Sequence, residues 1–144
     1  MRSLPTLLLA ATLTCGFARA ADPSLRFDQF YAGSGANMAF SPAAQTLAGK
    51  RVRVEGYAAP PYRAEAGFFV LTRSPTHICP YCSAEPDWPM DVVVVYPRGG
   101  VAGPGGTALV TVTGTLEIGS KPDAESGLAS QLRLVDAVIE PARR

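Results

Sequence analysis

The stretch RSPTHICPYCSAEPDWPMD, Arg73 to Asp91, gathers the chain's single histidine, His77, and two cysteines, Cys79 and Cys82, into six consecutive positions. Glu85 and Asp87 follow closely. An imidazole and two thiolates at this spacing suit a borderline or soft metal ion, because a two-residue gap lets both sulfurs face one centre while the backbone turns between them. Zinc accepts such a set with a fourth ligand, for which Asp87, Glu85 or water are the nearby candidates. Copper(I) favours the same thiolates, with the Met90 thioether as a further donor. The competing reading is a disulfide between Cys79 and Cys82. The loop it would close is so short that it removes little entropy from the unfolded chain, about 1–2 kcal/mol.

A third chemistry is dithiol redox. Cys79-Pro80-Tyr81-Cys82 resembles the active-site tetrapeptide of glutaredoxins. That chemistry needs a helix beginning at the first cysteine, whose N-terminus lowers the thiol pKa and supplies the attacking thiolate. Here Ser-Ala-Glu-Pro-Asp-Trp-Pro follows Cys82, and prolines at 75, 80, 86 and 89 bar a helix throughout. The flanking βαβ pattern is absent as well, so a thiol–disulfide oxidoreductase stands behind the other two readings.

The compartment bears on which state the cysteines adopt. Arg2, the apolar run from Leu4 to Phe17 and the Ala18-Arg19-Ala20 cleavage signal form a secretory leader over residues 1–20, with Ala21 as the new N-terminus. Thr12 and Thr14 fit poorly with lipidation at Cys15, so a soluble exported protein, periplasmic or secreted, is expected. Cleavage leaves about 124 of the 144 residues, one domain by the usual relation of length to domain count. Loss of Arg2 and Arg19 takes the formal charge from +1 to about −1 with no basic stripe, which argues against nucleic acid. After cleavage only Cys79 and Cys82 remain, an even count in an oxidising compartment. No remaining apolar run has the length of a membrane span.

The elements that must position the loop read as follows. Ser24 to Gly33 spaces Leu25, Phe27, Phe30 and Tyr31 for a short N-terminal helix, and the small-residue stretch from there to Gly49 reads as a connector. From Lys50 the period changes to two. Strands are expected over Lys50–Pro60, Gly67–Arg73, Met90–Pro97, Thr107–Gly119 and Leu128–Ala142. Val92 to Val95 is apolar enough to be buried on both faces. Val52-Arg-Val-Glu-Gly56 parallels Val110-Thr-Val-Thr-Gly114, and a glycine inside a strand marks the bulge or sharp bend that a small barrel needs. The expected fold is therefore mainly all-β: a five-stranded OB-like Greek-key barrel over 50–144, preceded by a helix and connector over 21–49. The cysteine-bearing segment becomes a connection of roughly sixteen residues between the second and third strands, long enough to suggest function or a staple.

Other features read more plainly. Tyr62, Tyr81 and Trp88 suit a lid over a core better than a ligand platform, and Glu85 with Asp87 lacks the third group a reaction would need. Gly103-Pro-Gly-Gly106 is a turn, since no Lys-Ser/Thr and helix follow as a phosphate loop requires.

LAGKRVRVEGY, GFFVLT, the Cys/His loop ending in Trp88-Pro89, VVVVYP and VTVTGTLEIG together resemble small bacterial exported OB-like proteins of domain-of-unknown-function families. The resemblance spans most of Lys50 to Ile139. It implies association with ABC-type transport systems, some of them serving zinc or other metal homeostasis, and it implies no catalytic residues. The expected function is non-enzymatic metal binding through His77, Cys79 and Cys82, accessory to a transporter or another envelope protein. The alternative is an interaction module with a Cys79–Cys82 disulfide.

Overall fold

Val52, Val54, Gly56 and Ala58 are buried while Arg53 and Glu55 are exposed, and this alternation defines β3, Arg51–Ala58. The computed structural model describes residues 21–60, 67–77, 90–100, 104 and 108–142. Four further strands follow: β4, Phe69–Thr72; β5, Val92–Pro97; β6, Leu109–Pro122; and β7, Ala129–Pro141. Hydrogen-bonded neighbours run β3–β4–β5–β7–β6, and β6 pairs back onto β3, so the sheet closes on itself as a five-stranded barrel. β5 and β7 are parallel; every other pair is antiparallel. Inward side chains of all five strands, among them Val54, Leu71, Val93, Val112 and Leu134, form one core. Val70 and Val92 lie on the opposite face of their strands and are buried too, with Ala59, in a second small cluster. This is why Val92 to Val95 reads as an unbroken apolar run.

The two strand glycines answer related demands. At Gly114 the β6–β7 register shifts between Thr113 and Thr115, the signature of a bulge. Gly56 keeps its register with Val110 but admits a close approach: a Cβ there would lie 2.8 Å from the Thr72 carbonyl oxygen and 2.9 Å from both Leu71 and Phe27.

The N-terminal segment differs from its expected form. Ser24 to Gly33 holds only a 3-10 turn, Phe27–Gln29, and then enters β1, Tyr31–Ala32, which pairs with β2, Ala39–Phe40. The α-helix, α1, lies at Pro42–Leu47, inside the stretch read as a connector. Two physical causes account for the difference. β4 is short and meets β3 only at Tyr57 and Ala58, which leaves the first half of β3 with open backbone groups. Residues 23–25 satisfy them: Arg53 N–H donates to Pro23 O and Leu25 N–H to Arg53 O, both at 2.8 Å. The spacing of Phe27 and Phe30 is then met by a 3-10 turn, whose period is three residues, and both rings enter the barrel core. At α1, Ser41 Oγ accepts from Ala44 N–H at 3.0 Å and Pro42 occupies the first turn, where its missing N–H costs nothing. Ser41 Oγ also donates to the Gln29 carbonyl and ties the helix start to the 3-10 turn.

Strand ends differ from expectation by a few residues, most visibly at β6, which continues through Lys121 and Pro122 into the stretch expected to turn. Asp136 in β7 adopts φ 50°, a conformation that aspartate tolerates better than most residues, and Arg98 holds its carboxylate through two hydrogen bonds of 2.7 Å. The leader, residues 1–20, lies outside the described residues, as do Tyr62 and most of Gly103–Gly106. Among the described residues no helix is long and apolar enough to cross a membrane.

Candidate functional site

Strand direction places the candidate loop. β4 ends at Thr72, β5 begins at Val92, and β7 begins at Ala129 running parallel to β5. The 73–91 connection therefore leaves the barrel at the same end as the β6–β7 turn and the entry into β3. Its two feet are pinned. Thr72 pairs with Val92, and Arg73 N–H donates to Asp91 O at 3.1 Å. The Thr72 hydroxyl contacts the Ser74 carbonyl at 2.8 Å and the Tyr57 carbonyl at 3.2 Å. The connection thus starts from a rigid base.

Of the expected ligands, the structure places His77, which is exposed just beyond the β4 foot. Met90, the further donor considered for copper, stands at the β5 foot and is 40% exposed. Cys79, Cys82, Glu85 and Asp87, with Tyr81 and Trp88, lie outside the described residues. Among the described residues no three His, Cys, Asp or Glu side chains converge for a metal ion.

Beside the Arg73 foot lies a cleft of about 250 Å³ lined by Ser24, Leu25, Arg26, Phe27, Asp28, Glu55 and Arg73. Arg26 and Asp28 pair across its rim at 3.0 Å, and Arg26 holds the Asp28 carboxyl below its ordinary range, chiefly through this hydrogen bond. Two cations and two carboxylates leave the cleft without net charge.

A polar cluster that sequence reading passed over occupies the β5–β7–β6 side of the same end. Arg133 Nε donates to Glu117 Oε2 at 2.8 Å, and Lys121 Nζ reaches the same oxygen at 3.3 Å. Tyr96 Oη donates to Asp123 Oδ2 at 3.1 Å. Burial, then the Asp123 charge, pushes the Tyr96 hydroxyl up to about 12. Asp123 Oδ1 caps the β6–β7 turn by accepting from the Ser126 and Glu125 backbone N–H groups and the Ser126 hydroxyl, and these bonds hold its carboxyl below the ordinary range.

Glu117 is likewise held below its ordinary 4.5, first by the hydrogen bond from Arg133. A lowered folded-state value means that ionised Glu117 stabilises the fold above the unfolded value, and that this contribution is lost as pH falls through the folded one. Glu117 is about one-third exposed, so solvent screens the pair. Glu117→Gln is expected to cost about 1 kcal/mol near neutral pH. The difference from wild type should vanish in acid well below 4.5. Urea denaturation of both proteins at the two pH values checks this; a gap that persists in acid would contradict it.

No protein-family model and no curated protein matches the chain. Among solved structures it is similar to the crystal structure of a DUF3299 family protein from Pseudomonas aeruginosa PAO1, with a TM-score of 0.50 and 16% identity over 86% of this chain and 98% of that one. At this identity the likeness speaks to the fold alone. The neighbour belongs to a bacterial family of unknown function, the class of family that the sequence resembles.

Proposed function

We propose that the chain is an exported, non-enzymatic envelope protein with an OB-type barrel, which binds zinc or copper through His77, Cys79 and Cys82 in service of a transport system. The strand order β3–β4–β5–β7–β6, with β5 parallel to β7, is the order of the five strands of an OB barrel and supports the fold part of this reading. The observation that carries the metal part is the His-x-Cys-x-x-Cys spacing on a connection whose feet are hydrogen-bonded at one barrel end, with His77 exposed to solvent. The donor set fits. One imidazole and two thiolates suit zinc with a fourth position open to a carboxylate, water or a partner's ligand, which favours an exchangeable site over a closed structural one. Copper(I) is satisfied by fewer, softer donors, and Met90 then supplies a thioether at the opposite foot.

Native mass spectrometry of the mature chain, with and without reductant, tests this reading. One metal ion per chain is expected after reduction and incubation with zinc or copper(I), and none in Cys79→Ser. The even count of cysteines after leader cleavage favours the second reading, an interaction module with a Cys79–Cys82 disulfide. A mass short by two hydrogens before reduction, followed by no metal uptake after it, would leave only that module. Turnover in an insulin-reduction assay would instead point to dithiol catalysis.

A further inference from the structure

Arg133 is the one charged residue buried among the described residues, at 5% exposure. Its neighbours saturate only part of it. Nε is taken by Glu117 Oε2; Nη1 donates to Gly119 O at 2.8 Å, to Ser130 O at 3.0 Å and to Ser130 Oγ at 3.3 Å. A guanidinium carries five N–H donors, so the two on Nη2 are left without an acceptor among the described residues. Buried donors are ordinarily matched, because leaving one unmade forfeits a hydrogen bond that water would have supplied. Arg133 lines an open cleft of about 280 Å³ with Tyr96, Lys121, Pro122, Asp123, Ala124 and Val135.

The cleft's chemistry narrows what the two N–H groups would take. Pro122, Ala124, Val135 and the Tyr96 ring give it apolar walls. The nearby carboxylates are already engaged, Asp123 by Tyr96 and the turn, Glu117 by Arg133 and Lys121. Lys121 and Arg133 balance Asp123 and Glu117, so a multiply charged anion would lose its hydration without a net positive field to replace it. We infer that this cleft binds a monocarboxylate with a small apolar body, its carboxylate accepting from Arg133 Nη2 and its body lying against Pro122, Ala124 and Val135. A charge-assisted contact of this kind is the strong form of an arginine hydrogen bond. A free short-chain acid and the C-terminal carboxylate of a peptide present the same group. The site uses none of the residues assigned to the metal, so it stands or falls independently of that reading.

Arginine side-chain NMR of the intact mature protein tests it directly. The titrants are isovalerate, a short acetylated peptide ending in valine, the same peptide amidated, and inorganic phosphate. Saturable shifts of the Arg133 N–H resonances are expected with the acids, and little change with the amide or phosphate. The tighter of the two acids identifies the source. Ala124→Glu, at an exposed turn position, should weaken binding about tenfold or more by charge repulsion while leaving the denaturation midpoint unchanged. No saturable shift with either acid, an equal response to phosphate, or undiminished affinity in Ala124→Glu would each overturn the inference.

Discussion

Gly56→Ala is expected to destabilise the protein by about 3 kcal/mol, at the upper end of overpacking costs. The added methyl would lie 2.8 Å from the Thr72 carbonyl oxygen and 2.9 Å from Leu71 Cγ and Phe27 Cε2. Two of these neighbours are core side chains, and the third is backbone at the end of β4, so none can swing away cheaply. Gly114→Ala is the internal comparison. There the contacts are 3.0 Å to Val135 O and 3.2 Å to Ala137 and Leu134 Cβ, and a few tenths of an ångström of relaxation suffice. About 1–2 kcal/mol is expected. Urea denaturation of both variants measures the ordering, and a milder loss at Gly56 than at Gly114 would refute the account. The consequence reaches the candidate site as well, because Thr72 is the last residue of β4 before the cysteine-bearing connection and its carbonyl is the atom that must move.

Phe30→Ala is expected to cost about 3–5 kcal/mol, since truncating a fully buried aromatic loses both transfer energy and the cavity it leaves. Phe30 is 0% exposed, meets Phe27 edge-on with ring centres 5.4 Å apart, and sits in the same core cluster as the barrel strands. Set against the 5–15 kcal/mol that holds a typical domain together, this loss is large. It also distinguishes a segment that merely precedes a barrel from one that completes it. Together with the hydrogen bonds from residues 23–25 to Arg53, it implies that a chain beginning at Lys50 should fail to give a cooperative unfolding transition. A cooperative transition in that truncated chain, or a cost below about 1 kcal/mol for Phe30→Ala, would show that the core does not depend on the segment.

Much of this protein follows from local pattern. Alternation at Val52 and Val54 and the valine run before Tyr96 mark strands because the side-chain period of a strand is two whatever it pairs with. The glycines at 56 and 114 stand out because a strand interior gives up a side chain only for a reason, which proves to be a bulge at Gly114 and a close approach of neighbouring atoms at Gly56. The proposed metal site at His77, Cys79 and Cys82 rests on sequence spacing of the same local kind, since residues this close along the chain need no fold to bring them together. A fourth donor distant in sequence would carry no such mark.

The rest was decided by partners far along the chain. Leu25, Phe27 and Phe30 look helical by spacing alone, yet the open edge beside a short β4 captures residues 23–25 and leaves room for a 3-10 turn only. Ser41-Pro42 was a readable helix start, masked by the small, weakly amphipathic residues after it. Arg133 is the clearest case. Between Leu132 and Leu134 its alternation assigns it to the outer face of β7, where an arginine is ordinarily solvated. Glu117, sixteen residues away on the paired strand, together with Gly119 and Ser130, closes over it. Alternation tells which face of a strand a side chain takes; what covers that face is set by strand pairing, and only the folded chain supplies it.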